Sequence, residues 1–316
     1  MAESWARKWD NFRRRDWEHI RESWISNTPP RFAEIGSPPD PGLENLFLLH
    51  SMQPPDDHNR LQDIAGVRSN ALWEAVFLFH KCAHTNLAAQ RVGQSGMHSW
   101  SMFNAYHSAY LGARGLMALL GVALPRINTI QTAIDLFPES TTPRKSPMIR
   151  KSEREKRVPI LPLPKFEEFT ITRLGHLDQR FLWQAFRRVL VVTRSKCWDL
   201  GVRQSLLNLP FEEITPPRNS FLYRAQFWPL PDLIADASPT DFDTLFGTYL
   251  DVGEEGFLLR LCFSVYYLFD QLMRDLAEHS GVIKQQFDAS RIIASSNLAV
   301  LGSYANFVAQ VSAKTI

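Results

Sequence analysis

Residues 99–121 read SWSMFNAYHSAYLGARGLMALLG, and this stretch narrows the fold more than any other in the chain. Met102, Tyr106, Ala109, Ala113, Leu116 and Leu120 recur at alternating spacings of four and three, which keeps them on one face of an α-helix. The middle of that face is small. Ala105, Ala109, Gly112 and Ala113 leave room for another helix backbone, and Gly112 and Gly115 lower intrinsic helicity in doing so. Ser99 or Ser101 is expected to cap the start, Gly121 to take the left-handed position past the end, and Pro125 to stop any continuation. The stretch predicts a core helix of an all-α protein.

The neighbouring segments extend this reading. Leu72, Val76, Phe79, Ala83 and Leu87 repeat the helical pattern over residues 70–90, and Gly93 and Gly96 break it. Two long helices with so short a connection should pack as an antiparallel hairpin. A third long helix is predicted from about residue 254, where Asp251 and Glu254 have capping-box spacing, through Leu261, Val265, Leu268, Leu272 and Leu276 to an end near Gly281. Another is expected from Leu174 to Leu200, and residues 284–312 read as one final helix or a broken pair.

The ends and the middle differ in composition. Trp5, Trp9, Phe12, Trp17, Ile20 and Trp24 make residues 3–25 an amphipathic helix, expected to dock on the main body through its indoles rather than on a membrane surface. Pro29, Pro30, Pro38, Pro39 and Pro41 then form an extended connector. The expected division is therefore an N-terminal helix and Pro-rich connector over 1–60, followed by a helical domain over 61–316 with an insertion at 138–237. That insertion opens with a charged run, in which residues 144–157 carry seven Lys or Arg and two Glu, and continues into alternating prolines. Either a phosphate-binding strap or a plain solvated loop accounts for it. Residues 209–233 read as a non-helical crossing segment, and Ser238 with Pro239 and Asp241 as a further helix start.

Composition excludes several classes. With 316 residues and 45% hydrophobic content the chain buries a large core, and a formal charge of +2 is not that of a dedicated nucleic-acid coat. Three cysteines, Cys82, Cys197 and Cys262, are odd in number and far apart, which argues against a disulfide framework and fits a reducing cytoplasm. No run of eighteen apolar residues predicts a membrane span, and the polar start argues against a secretory signal. There is no GxxxxGK[ST], GxGxxG or GxSxG, so no motif supports P-loop hydrolysis, dinucleotide binding or serine hydrolysis. No cofactor is implied.

Three constellations carry candidate chemistry. Arg274, Asp275 and His279 form RDLAEH, where Arg can hold a phosphate and His can shuttle a proton. The Arg–His separation places the two side chains roughly 140° apart around a helix, so a partner surface is needed to enclose them in one cleft. Arg218, Asn219, Tyr223 and Arg224 form the second, suited to phosphate contact and base stacking or, equally, to locking a turn. Arg91 with His98 straddles two glycines and is the weakest. His80 and His84 share a helix face, and His98 or His107 on the next helix would have to complete a zinc site. HKCAH lacks the glutamate of HExxH, and paired interface histidines are the preferred reading, so no metal site is assigned.

The helix pair from Asn70 to Gly121, above all NAYHSAYLGARGLMALLGV, resembles the first two long helices of HEPN-domain proteins, whose aromatic, alanine-rich helix often ends at a small Leu-Leu-Gly segment. The resemblance implies an HEPN-like helical bundle, here with an additional N-terminal helix and long extended insertions. It also implies either a metal-independent endoribonuclease of a prokaryotic toxin or antiviral system or an inactive RNA- or protein-binding relative in a defence or regulatory complex. The family motif is an Arg, commonly followed by Asn, Asp or His, with a His four to six positions beyond. Arg274–Asp275 with His279 fits that spacing, and Arg218–Asn219 ends instead in Tyr223. The implied partners are RNA, a second copy of the chain joining Arg and His across a dimer, or another protein of a defence complex.

Overall fold

The computed structural model describes residues 15–26, 60–61, 67–95, 97–122, 124, 156–160, 169–175, 179–211, 214 and 253–295. In chain order these form β1 (Arg15–Asp16), α1 (Trp17–Ser26), β2 (Arg60–Leu61), α2 (Val67–Gln94), α3 (His98–Leu119), β3 (Lys156–Ile160), β4 (Phe169–Gly175), α4 (Gln179–Val192), β5 (Thr193–Arg194), α5 (Leu200–Leu207), α6 (Gly253–His279) and α7 (Gly281–Ser295). The described chain is predominantly helical. None of its helices is long and apolar enough to cross a membrane.

The α2–α3 hairpin is the frame. Its antiparallel sense is fixed by Ser101 Oγ donating to the Ala89 carbonyl at 2.7 Å, Ser108 Oγ donating to the Cys82 carbonyl at 2.9 Å, and Arg114 meeting Glu74 at 3.2 Å. The small positions of α3 admit two neighbours. A Cβ on Gly112 would lie 2.8 Å from both Cys82 Sγ on α2 and Val265 on α6, and one on Gly115 would lie 2.5 Å from the Phe269 ring. Helix α6 thus fills the groove behind the hairpin, and α7 folds back so that Phe287 stacks over Phe79 at 5.8 Å.

Gly121 ends α3 at φ 81°, with Val122 N–H donating to the Met117 carbonyl and Gly121 N–H to Ala118, the Schellman pattern. The expected serine cap is corrected. Met97 occupies the N-cap position with no side-chain bond, and Ser101 is drawn across the hairpin to Ala89 instead.

Helix α1 docks through its indoles. Trp17, Ile20 and Trp24 are all fully buried, and Trp24 Nε1 donates to the Leu119 carbonyl at the end of α3. The helix expected over 174–200 is shorter than the pattern suggested. Residues Phe169–Gly175 form β4, antiparallel to β3 and β2, and α4 ends at Val192, where β5 pairs in parallel with β1. Arg203 closes that end by donating to the Leu190 carbonyl at 2.7 Å, and Asp199 caps α5 by accepting from Val202 N–H. Trp183, Phe186 and Phe211 carry this part of the chain into the same core as the hairpin.

The Trp5–Phe12 stripe, the Pro-rich connector, the charged run up to residue 155, the crossing segment beyond residue 214, the helix start at Ser238, the Asp251 cap and residues 296–312 lie outside the described residues.

Candidate functional site on the last turns of helix α6

Arg274, Asp275 and His279 fall on the final turns of α6, which ends at His279. Their consecutive and five-apart positions send them in different directions, and the structure assigns each a different environment. Arg274 is half exposed and donates through Nη2 to Asp270 Oδ2 one turn earlier, at 2.9 Å. An i,i+4 helix ion pair of this kind, with the Arg half exposed and Asp270 at 14% exposure, contributes about 0.3–0.5 kcal/mol in ordinary helices, so a phosphate dianion or diester can compete with it for the guanidinium.

His279 is exposed, and its Nδ1 lies 2.8 Å from the Asp275 carbonyl. A carbonyl only accepts, so Nδ1 carries the proton and Nε2 of the neutral ring is left as the basic atom. This geometry orients the imidazole.

Asp275 points the other way. Trp17 Nε1 donates to its Oδ2 at 2.7 Å, and Arg21 Nη1 lies 3.0 Å from both carboxylate oxygens. The companion of the candidate Arg is therefore an anchor for α1. Around it, Glu18 Oε1 accepts from the Lys196 backbone N–H at 3.0 Å, which ties the 195–199 loop to the same helix. Burial pushes the Cys197 thiol above its ordinary pKa; contact with Ser195 opposes this, and the Asp275 carboxylate adds to it. Tyr267, a further member of this surface, is likewise pushed up by burial and by Asp199, so its hydroxyl keeps its proton at neutral pH.

The other candidates do not join this group in the described part. Arg91 is exposed near the end of α2, and His98 is the first residue of α3. Arg218, Asn219, Tyr223 and Arg224 lie outside the described residues. His80 is half-buried with Nε2 3.3 Å from Gln286 Oε1 on α7, an interface histidine, whereas His84 is exposed. Among the described residues no three His, Cys, Asp or Glu side chains gather as a metal-binding group.

Sequence reasoning missed Arg21 and Trp17 as partners of the motif. No local spacing encodes a contact across 254 residues. The one available signal was the Trp17–Arg21 step of one helical turn, which puts an indole and a guanidinium on neighbouring positions of the buried stripe. Comparison with protein-family models, with curated proteins and with solved structures finds no match to the chain, so the reading of this surface rests on its own geometry.

Proposed function

We propose that the chain is an HEPN-like, metal-independent RNA endonuclease of a prokaryotic defence or toxin system, with its cleft completed by a second copy. The observation that carries this reading is the orientation of the exposed His279: its Nδ1–H is held by the Asp275 carbonyl, which leaves Nε2 as the basic nitrogen, five residues along α6 from the half-exposed Arg274. In the proposed step Nε2 removes the proton from a ribose 2′-hydroxyl, whose oxygen attacks the adjacent phosphorus. The P–O5′ bond breaks, leaving a 2′,3′-cyclic phosphate, and the leaving O5′ takes up a proton from the imidazolium of the partner copy. Arg274 neutralises the charge that grows on the phosphoryl oxygens.

A second reading is a non-cleaving RNA- or protein-binding subunit of a defence or regulatory complex. The engagement of Asp275 by Trp17 and Arg21 favours it, because a motif companion used as a structural anchor is compatible with a surface that only binds.

The test compares wild type, Arg274→Ala, His279→Ala and Arg218→Ala on mixed RNA with a chelator present, after folding and oligomeric state are matched. Loss of at least about a hundredfold in the first two, with Arg218→Ala active, supports the endonuclease. Loss confined to Arg218→Ala moves the site to residues 218–224. A wild type that binds RNA and never cleaves it establishes the second reading.

A further inference from the structure

The outward side of the α2–α3 hairpin carries a pattern that the Arg274–His279 surface does not use and that packing uses only in part, since Trp73 and Leu111 also rest against the core. Along α2, Trp73, Phe77, Lys81, His84, Ala88 and Arg91 recur every three or four residues, and all are exposed or half-buried. Along α3, Trp100, Phe103, His107 and Leu111 do the same. Helix α6 packs on the other side. It meets Phe79 through Phe269, Gly112 through Val265 and Gly115 through Phe269, and at about 100° per residue Lys81 lies about 160° around α2 from Phe79, whereas His107 lies about 140° around α3 from Gly112 and about 80° from Gly115. The Arg114–Glu74 ion pair bridges the two stripes at one end, and the Ser101–Ala89 hydrogen bond holds the helices together at the other.

The chemistry of this side is aromatic and cationic. Trp73 stacks on Phe77 with centroids 4.9 Å apart, and Lys81 Nζ sits 4.5 Å over the Phe77 ring. Trp100 is 51% exposed, large for an indole, and meets Phe103 edge-on, which in turn meets the His107 ring at 4.3 Å. Charge is one-sided. From residue 67 to residue 119 the only carboxylate is Glu74, already paired with Arg114, against Arg68, Lys81, Arg91 and Arg114. One exposed and several half-buried rings, interleaved with the exposed cations Lys81 and Arg91, for which α2 and α3 supply no carboxylate beyond the paired Glu74, suit an extended polyanion that also offers flat faces. A single-stranded nucleic acid is such a ligand, because its unpaired bases stack and its phosphates meet the cations. A protein partner would leave the cations to be matched by acidic side chains while gaining little from ring-on-ring ladders. From Trp73 to Arg91 the stripe is about 27 Å long at 1.5 Å per residue, enough for several nucleotides.

We infer that the outward face of the α2–α3 hairpin is a docking platform for single-stranded RNA, with Trp100 and the Trp73–Phe77 pair stacking bases and Lys81 and Arg91 contacting phosphates. The inference rests on the RNA reading above and supplies it with a binding surface separate from the cleaving residues.

The experiment measures binding of a labelled single-stranded 2′-O-methyl RNA oligonucleotide to the full wild-type chain across salt concentrations. Blocking the 2′-oxygen prevents cleavage, so binding is read apart from catalysis. Trp100→Ala is expected to weaken binding at least about fivefold. Lys81→Glu combined with Arg91→Glu is expected to weaken it at least about tenfold and to reduce the slope of log affinity on log salt by about 1.4, at about 0.7 for each phosphate no longer neutralised. Arg187→Glu combined with Arg188→Glu, two exposed cations on α4, serves as the control and should change affinity little. An RNA duplex should compete poorly, since its bases are not free to stack.

Equal losses in the α2 and α4 pairs, or binding by wild type that none of these variants alters, overturns the platform. So does a wild type that binds no RNA, and self-association abolished by Trp100→Asp would then assign the face to a second copy. Retained cleavage with unaltered binding in the face variants removes this inference alone, whereas variant-sensitive binding without cleavage removes only the endonuclease.

Discussion

The indole N–H of Trp17 donates to the Asp275 carboxylate at 2.7 Å, and one turn later Arg21 holds the same group at 3.0 Å. Side-chain exposures of 16% for Arg21 and 14% for Asp275 keep the pair largely out of water, so stranding one charge costs more than losing a surface pair. Arg21→Ala is expected to destabilise the fold by about 2–3 kcal/mol. Asp275→Asn should cost less, because its amide oxygen still accepts from Trp17. In urea unfolding the Arg21→Ala/Asp275→Ala double variant should fall short of the summed single effects by at least about 1 kcal/mol. Strict additivity would mean that the two groups are not coupled.

At Gly115, α3 packs closely against both α2 and α6. An added Cβ would meet the Phe269 ring at 2.5 and 2.7 Å and Leu78 Cβ at 2.9 Å. Alanine gains about 1 kcal/mol of helix propensity over glycine, but the clash involves a buried aromatic ring with no free direction to retreat. Gly115→Ala is therefore expected to lower stability by a net ~1–3 kcal/mol. Gly281, with nothing within 4 Å of the added carbon, is the control: Gly281→Ala should be neutral or stabilising by under about 1 kcal/mol. A Gly115→Ala variant as stable as wild type would show that α6 can slide away.

The contrast between these positions shows what the amino-acid order encodes locally. The four-and-three spacing of Met102 to Leu120, its small centre and the Gly121 stop are all properties of one helix, and each appears in the fold. The α4–α5 break was hidden, because Val189, Val192 and Leu200 continue an apolar pattern across residues 193–199, where Arg203 and Asp199 terminate and restart the helices by side-chain bonds. Strand β4 did carry a signal, the Phe169-Thr170-Ile171-Thr172 alternation just before the helix expected from Leu174, but that alternation was not read as a strand, and the strand's last two residues fell within the expected helix. At the candidate site the motif spacing groups Arg274, Asp275 and His279 together in the sequence. That Asp275 faces α1 while Arg274 and His279 are exposed depends on the arrival of α1 at that end of α6, a tertiary fact.

Two of the three cysteines lie in the seam between α2, α3 and α6. Burial pushes Cys262 from an ordinary 9.0 up to about 12, and it pushes Cys82 further in the same direction against the opposing Ser108 contact. A thiol whose folded pKa is raised stabilises the fold fully below its unfolded value, and that contribution is lost as pH rises toward the folded one. Above about pH 9 each buried thiol should steepen the loss of stability by about 1.4 kcal/mol per pH unit. Other groups titrate there as well, so the readout is the difference from Cys262→Ala, whose slope should be shallower by that amount. Parallel slopes would mean that Cys262 reaches water in the native state. In thiol labelling near neutral pH, Cys197 should react first, and Cys82 and Cys262 only upon unfolding.

His80 links α2 to α7, its Nε2 donating toward Gln286 Oε1 at 3.3 Å beside the Phe79–Phe287 stack. Burial lowers its pKa below 6.5, and the Gln286 hydrogen bond pulls it partway back. The unfolded chain therefore binds the proton more readily than the folded one. The stabilisation from a neutral His80 is complete above 6.5 and is lost as pH falls through the folded value. Because the ring sits at the α2–α7 contact, acidification should loosen α7 before it affects the α2–α3 frame. Native-state hydrogen exchange between about pH 7 and about pH 5, corrected for intrinsic rates, should show α7 amides losing protection relative to those of α3. In His80→Gln, which keeps a donor toward Gln286 and cannot ionise, that difference should vanish. The same acid-dependent opening in His80→Gln would place the sensitivity elsewhere on α7 and remove His80 as its source.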